Sequence, residues 1–223
     1  MKVSVIIPSL GRPEQIKRCV ERLAETVQGY VVETVVVFEG DDPATAEAAR
    51  SVPGVIVVEN TTGLGAAAGW NEGSKHASGD ALVMLGDDAW FHDGWLEAAL
   101  QALEKIGGSG MVGFNDGHTS GETHSAHHLL TRDYIIEYQG GCFIIPDYYS
   151  QYFDLEAVAR AQRADKYIWA SDSLVEHKHW VFGTAVKDAT YRIGSDHMNS
   201  DRDIFQRRRA AGFPDDFEPI LMR

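Results

Sequence analysis

Residues 81–88 read Ala81-Leu82-Val83-Met84-Leu85-Gly86-Asp87-Asp88. An unbroken apolar run ends in a glycine and two adjacent carboxylates. A run apolar at successive positions suits a strand covered on both faces, as in a parallel sheet. Ligands of open α/β sheets bind beyond the carboxyl ends of the strands, where Asp87 and Asp88 stand. Burying two neighbouring carboxylates without a counter-charge is costly. A hard divalent cation, Mg²⁺ or Mn²⁺, is the natural partner for such oxygen ligands. The competing reading is a plain turn that caps a helix.

Outward from this stretch the chain alternates strand and helix signals. Val3–Ile7 is a short apolar run, followed by Gly11-Arg12-Pro13, and Pro13 suits the first turn of a helix. Ile16, Val20, Leu23 and Val27 recur there at helical spacing. Val31–Phe38 reads as a buried strand, Pro43–Ser51 as a short helix and Val55–Val58 as a strand. Ala66–Ala77 reads as a helix. Gly94–Lys105 is the next helix, with Asp93 as its N-cap, and Met111–Phe114 the next strand. This rhythm implies an α/β fold with a mostly parallel central sheet and helices on both faces.

Beyond residue 114 the pattern changes. Residues 115–133 are polar, carry His118, His124, His127 and His128, and read as a long loop. Tyr134–Tyr138 and Gly141–Ile145 read as strands, Leu155–Ala164 as a helix, and Tyr167–Ala170 and Leu174–Glu176 as short strands. Ser200–Ala211 reads as a polar helix stopped by Gly212 and Pro214, before an irregular tail, Asp215–Arg223. With no repeat or linker, the 223 residues form one domain. The changes of rhythm divide it into residues 1–114, residues 115–180 and a C-terminal loop and helix (181–223).

Twenty Lys+Arg against 33 Asp+Glu give a net charge of −13, which disfavours a nucleic-acid surface. The cluster Arg202, Arg207, Arg208 and Arg209 reads either as a solvated helix face or as a contact for a phosphate, an anionic acceptor or a partner chain. Two cysteines, Cys19 and Cys142, make no disulfide framework. With no apolar span long enough for a membrane and no leader, the expected compartment is the cytoplasm.

Other strand ends add candidate ligand contacts. Pro8-Ser9-Leu10-Gly11-Arg12 offers backbone N–H groups and a guanidinium for a diphosphate or a base. Glu39 and Asp41 are placed to accept from a base or a ribose. The Gly63-to-Gly73 stretch, with Gly65 and Asn71, lacks a phosphate-loop lysine, yet its small residues allow close approach to a nucleotide. Each segment alone also fits a structural turn or close helix–sheet packing.

Together these segments resemble family 2 of the glycosyltransferases, which have the GT-A fold. Val3-Ser4-Val5-Ile6-Ile7-Pro8-Ser9 resembles the family's first strand, and Gly65 to Gly73 its Asn-containing helix. Ser78 to Asp88 resembles the approach to its Asp-x-Asp metal motif, with Gly86 at the first position and Asp88 at the last. Gly140 to Ile145 resembles the Gly-rich segment on the acceptor side. Tyr152-Phe153-Asp154-Leu155-Glu156 stands where the family has Glu-Asp-x-Asp, with Phe153 in place of the glutamate. Val175 to Trp180 resembles the family's late histidine segment. The resemblance covers residues 1 to about 180.

It implies a metal-dependent, inverting transfer of a sugar from a nucleotide diphosphate, UDP foremost, to an acceptor hydroxyl. Asp88 and His177 would hold the metal, Mn²⁺ or Mg²⁺. Asp154 would be the general base, with Asp147 and Asp172 as competitors. Pro8, Ser9, Arg12, Glu39, Asp41, Gly65, Asn71 and Asp87 would contact the donor. Two other readings remain: a nucleotide-sugar-binding module without turnover, and a zinc hydrolase built on the loop histidines.

Overall fold

The computed structural model describes residues 1–61 and 65–221. Gly63 and Leu64 of the glycine-rich stretch, and Met222 and Arg223 of the tail, lie outside them. In chain order the first part is β1 (Val3–Ser9), α1 (Pro13–Thr26), β2 (Val32–Glu39), α2 (Pro43–Arg50), β3 (Val55–Asn60), α3 (Ala66–His76), β4 (Ala81–Met84), β5 (Ala89–Phe91), α4 (Trp95–Lys105) and β6 (Met111–Asn115). The second part is β7 (His128–Thr131), α5 (Arg132–Tyr138), α6 (Phe153–Arg163), β8 (Tyr167–His177), a 3₁₀ turn at Trp180–Phe182, and α7 (Ala189–Ala210). The strands form one curled sheet in the order β3-β2-β1-β4-β7-β6-β8-β5.

Alternation along each strand fills both faces. Val3, Val5 and Ile7 of β1 join Ile16, Val20 and Leu23 of α1, Ala49 of α2 and Trp95 of α4 in one apolar cluster. Ile6 joins Ala67 and Trp70 of α3, Tyr134 and Ile135 of α5, and Phe153 and Ala157 of α6 in the other. Small residues in α3 serve this packing. A Cβ on Gly73 would strike Ile6 and Val37, and one on Gly69 would press on Pro8.

The expected strands and helices of the first 114 residues are all present, with one cap corrected. Gly94 caps α4 in a left-handed conformation, and the Asp93 carboxylate instead takes Arg22 at 2.8 Å. The second half differs more. The histidine-bearing loop contains β7, which lies antiparallel between β4 and β6, so the sheet is mixed. Tyr134–Tyr138 is helical, and its two tyrosine rings stack at 5.5 Å, the contact that a spacing of four produces on a helix. Gly141–Ile145 is buried but not a strand. Gln139 Nε2 donates to the carbonyls of Cys142 and Phe143, and the Asn71 amide pairs with the backbone of Ile144, so side chains satisfy what a ladder would. The two short strands after residue 166 are one strand, β8, with an irregularity opposite Phe114 and Asn115.

Two pairings build the site. β5 runs antiparallel to the end of β8 with Ala89 opposite His177, which carries His177 to the residue next to Asp88. β7 begins opposite Met84, so the preceding His127 reaches the same place. The final helix, α7, starts eleven residues before the expected Ser200. Among its described residues only Tyr191, Asp201 and Arg208 are buried. Asp201 accepts from the backbone N–H groups of Tyr149, Ser150 and Gln151.

Candidate functional site

Asp87 and Asp88 follow β4 and are both buried. They face different partners. Asp87 accepts from Ser9 Oγ at 2.6 Å, Arg12 Nη1 at 2.7 Å and Gln15 Nε2 at 3.1 Å. Asp88 Oδ2 accepts from the Tyr191 hydroxyl at 2.9 Å and lies 3.2 Å from His177 Nε2. Burial alone would push both carboxyls up. At Asp88 the imidazolium of His177 overcomes burial and holds the group below the usual carboxylate range. At Asp87 burial and the charge of Asp88 outweigh Arg12 and raise it. Burial disfavours the proton on His177, but Asp88 raises its pKa.

Ligand atoms of Asp88, His177 and His179 lie within 4.8 Å of one another, the one such set among the described residues. Behind them, the buried His127 leaves both ring nitrogens without a hydrogen-bond partner. Its ring meets that of His177 at 4.8 Å, and burial pushes its pKa down to about 3, so it is neutral at pH 7. The Asp88 carboxylate, the imidazole of His179, which burial keeps neutral, and that of His177 once its proton has left fit a divalent ion. A Cβ on Gly86 would run into Asp88 Oδ1 and touch the His127 ring, which explains the glycine at the first position of the Asp-x-Asp-like stretch.

Asp154 sits in the first turn of α6 with its Oδ2 2.7 Å from Nε2 of His124. Burial would raise Asp154, but His124 lowers it, and the same contact raises His124. One loop carries both His124, which pairs with Asp154, and His127, which meets His177, so the Asp154–His124 pair and the cluster at Asp88 are tied to the same segment. The competitors for the base role are engaged or remote. Asp147 pairs with Arg208 at 2.8 Å, and Asp172 lies in the irregular part of β8.

The expected donor contacts divide. Ser9, Arg12 and Asp87 form one hydrogen-bonded set at the end of β1, with Pro8 half-buried beside it. Arg12 also gives Nε and Nη2 to Asp188, so its guanidinium is committed to two carboxylates. Glu39 accepts from Asn60 Nδ2 at 3.0 Å, and burial raises its pKa. Asp41 is exposed, and its neighbour Asp42 holds the turn through Gly11 N and Thr45 N. Gly65 and Asn71 make close contacts within the protein. Gly65 is packed against Tyr149, where a Cβ would meet both ring and carbonyl. Asn71 spends its amide on Ile144, because that non-ladder backbone needs both a donor and an acceptor.

The four loop histidines do not converge. His118 stacks on Phe182, His124 pairs with Asp154, His127 stands beside His177, and His128 Nδ1 lies 3.2 Å from Ser125 O. Within the arginine cluster, Arg208 is buried on Glu156, Asp147 and Asp216, while Arg202, Arg207 and Arg209 are exposed. Sequence reading took His124 and His179 only as possible zinc ligands and did not single out Asp188 or Tyr191. The alternation His177-Lys178-His179 was the visible signal for His179; nothing local marked Asp188 or Tyr191.

Comparison with known proteins bears on the family and the fold. An uncharacterized glycosyltransferase of Haemophilus influenzae is 30% identical over 103 residues, covering 46% of this chain and 35% of that protein. This chain spans only 26–44% of the curated relatives it matches. A mannosyltransferase from Pyrobaculum calidifontis, solved with GDP-Man and Mn²⁺, shares the fold with a TM-score of 0.64 at 21% identity, over 78% of this chain and 56% of that one. Glucosyl-3-phosphoglycerate synthase from Mycobacterium tuberculosis, solved with Mn²⁺, UDP and phosphoglyceric acid, gives 0.62 at 16% identity, over 80% and 71%. No helix among the described residues is long and apolar enough to cross a membrane. The pattern described as glycosyl transferase family 2 matches residues 4–156, and the chain belongs to that family.

Proposed function

We propose that this chain transfers a sugar from a nucleotide diphosphate donor to an acceptor hydroxyl with inversion at the anomeric carbon. The observation that carries the reading is the convergence of Asp88, His177 and His179 at the end of β4, with the Asp154–His124 pair tied to it through the loop that carries His127. Asp88 and His177 would hold Mn²⁺ or Mg²⁺, with His179 within reach. When bound, the ion supplies positive charge opposite the departing diphosphate.

The rest is the work of the chain. The acceptor oxygen attacks the anomeric carbon as the bond to the diphosphate breaks, and the hydroxyl proton passes to the Asp154 carboxylate. His124 keeps Asp154 ionised at neutral pH, ready to accept that proton. General-base help of this kind is worth roughly 10²–10⁴-fold. Ser9, Arg12 and Asp87 shape the floor of the donor cleft, and Glu39 and Asp41 stand on the nucleoside side. UDP is the proposed donor nucleotide. Mn²⁺ accompanies GDP-Man in one structural neighbour and UDP in another, so the choice needs its own test. The exposed arginines of α7 leave an anionic acceptor open, and the net charge of −13 disfavours nucleic acid.

Melting curves with UDP, GDP, CDP and ADP, each with and without Mn²⁺, test the reading. A ligand at ~100 times its Kd adds about 2.7 kcal/mol. A Mn²⁺-dependent rise with one nucleotide, lost in Asp88→Ala, is expected. No rise with any of them would overturn the donor-site assignment.

A further inference from the structure

The family pattern ends at residue 156, yet the first turn of α7 reaches the centre of the site. We propose that the start of α7 is a working part of the metal and donor site, with Tyr191 positioning the Asp88 carboxylate and Asp188 positioning Arg12. This rests on the reading of Asp88 and His177 as metal ligands.

The argument starts from the lone pairs of Asp88 Oδ2. That oxygen meets both the Tyr191 hydroxyl, at 2.9 Å, and His177 Nε2, at 3.2 Å. With Asp88 and His177 as the residues that would hold the ion, His177 would give up the Nε2 proton it shares with Oδ2 to solvent, and the Tyr191 hydroxyl would remain as the partner of Oδ2. The hydroxyl then fixes the rotation of the carboxylate. Partners of this kind, one step behind the ligand, typically set metal affinity by 10–100-fold.

Tyr191 is itself held in place. Its hydroxyl lies 3.1 Å from the Lys178 carbonyl, the Arg12 guanidinium sits 4.0 Å over its ring, and the His179 ring meets it edge-on at 4.5 Å. Asp188 receives Arg12 through Nε and Nη2 at 2.7 and 2.9 Å, a bidentate pair, which leaves Nη1 for Asp87. Asp188 also caps α7 by accepting from Tyr191 N at 3.0 Å. The Thr190 hydroxyl donates to the Leu10 carbonyl at 2.7 Å. The start of the helix, the turn after β1 and the acidic pair after β4 are therefore one hydrogen-bonded unit.

The test is Mn²⁺ binding, followed by electron paramagnetic resonance of the free ion, in the wild type, Tyr191→Phe, Asp188→Asn and the control Ser200→Ala. Tyr191→Phe keeps the ring between Arg12 and His179 and removes only the hydroxyl. It is expected to weaken Mn²⁺ 10–100-fold, with the metal-free melting point little changed and kcat recovered at saturating Mn²⁺. Asp188→Asn keeps a capping side chain. It is expected to weaken UDP binding in saturating Mn²⁺ by about tenfold while leaving Mn²⁺ affinity alone, the loss of roughly one charge-assisted contact. Wild-type Mn²⁺ affinity in Tyr191→Phe together with wild-type UDP affinity in Asp188→Asn would overturn the proposal and leave the metal reading standing. A wild type that binds no Mn²⁺ would overturn both.

Discussion

His124 Nε2 lies 2.7 Å from Asp154 Oδ2, and the pair joins the middle of the histidine-rich loop to the first turn of α6. The contact helps keep the proposed base ionised and ties this loop to α6.

Asp154→Asn removes the proton acceptor without changing its size. The expected result is a fall in turnover of about 10²–10⁴-fold, with the Mn²⁺- and nucleotide-dependent rise in melting point retained. Turnover at the wild-type rate would remove Asp154 from the base role.

His124→Gln makes the complementary prediction. Burial raises the Asp154 pKa, and His124, with the Leu155 N–H and His128, brings it below the ordinary carboxylate value. Loss of the imidazolium therefore raises the Asp154 pKa, and the acidic limb of the kcat/KM profile moves to higher pH. A profile that stays in place would show that His124 does not control the base.

Gly86→Asp restores the residue usual at the first position of the metal motif. In this chain the new side chain meets Asp88 Oδ1. The expected outcome is weaker Mn²⁺ binding, by at least tenfold on the scale of a displaced ligand carboxylate. Titration calorimetry with Mn²⁺ checks it, and tighter binding would refute the steric account.

Glu33 offers a test of acid stability away from the site. Burial would raise its pKa, but Lys2, Ser4 and Ser78 together lower it to about 2. A depressed carboxylate stabilises the fold above its unfolded pKa and loses that contribution as pH falls through the folded value. Glu33→Gln should therefore cost about 1–2 kcal/mol at pH 7, after discounting for solvent screening. The difference should shrink below about pH 4.5 and vanish near pH 2, as measured by urea unfolding.

Glu156 is fully buried between two arginines, accepting from Arg160 Nε at 2.8 Å and Arg208 Nε at 3.0 Å. Glu156→Ala leaves both guanidinium groups short of their shared partner inside the protein. A loss of about 3–5 kcal/mol in unfolding free energy is expected. Glu156→Ala within 1 kcal/mol of the wild type, a threshold taken from typical surface substitutions, would mean that Asp147, Asp215 and Asp216 suffice.

The first 114 residues were legible because they obey local rules. Val3–Ser9 and Val32–Glu39 are apolar runs in a parallel sheet, and Pro13 and Pro43 open helices. The second half depends on distant partners. His128–Thr131 is only four residues long and is a strand because β4 and β6 flank it. Aromatic and β-branched residues favour strands, yet Tyr134–Tyr138 packs its apolar face as a helix. Asp88 and His177 were visible through the family resemblance. Tyr191 was not, because its role comes from a helix start 103 residues away from Asp88.

The pairing of Ala89 with His177 also has a consequence for how the metal site comes into being. Asp88 and His177 are 89 residues apart, so an ion held by both ties a loop of that length. Such an ion would bind the folded chain and not the unfolded one, so it would stabilise the fold by mass action, in step with the logarithm of its free concentration over its Kd. Neither residue can chelate until β8 has docked against β5 and β6. On the proposed ligand pair, metal uptake would report completed assembly, and a chelator is expected to loosen the second half of the chain before the first.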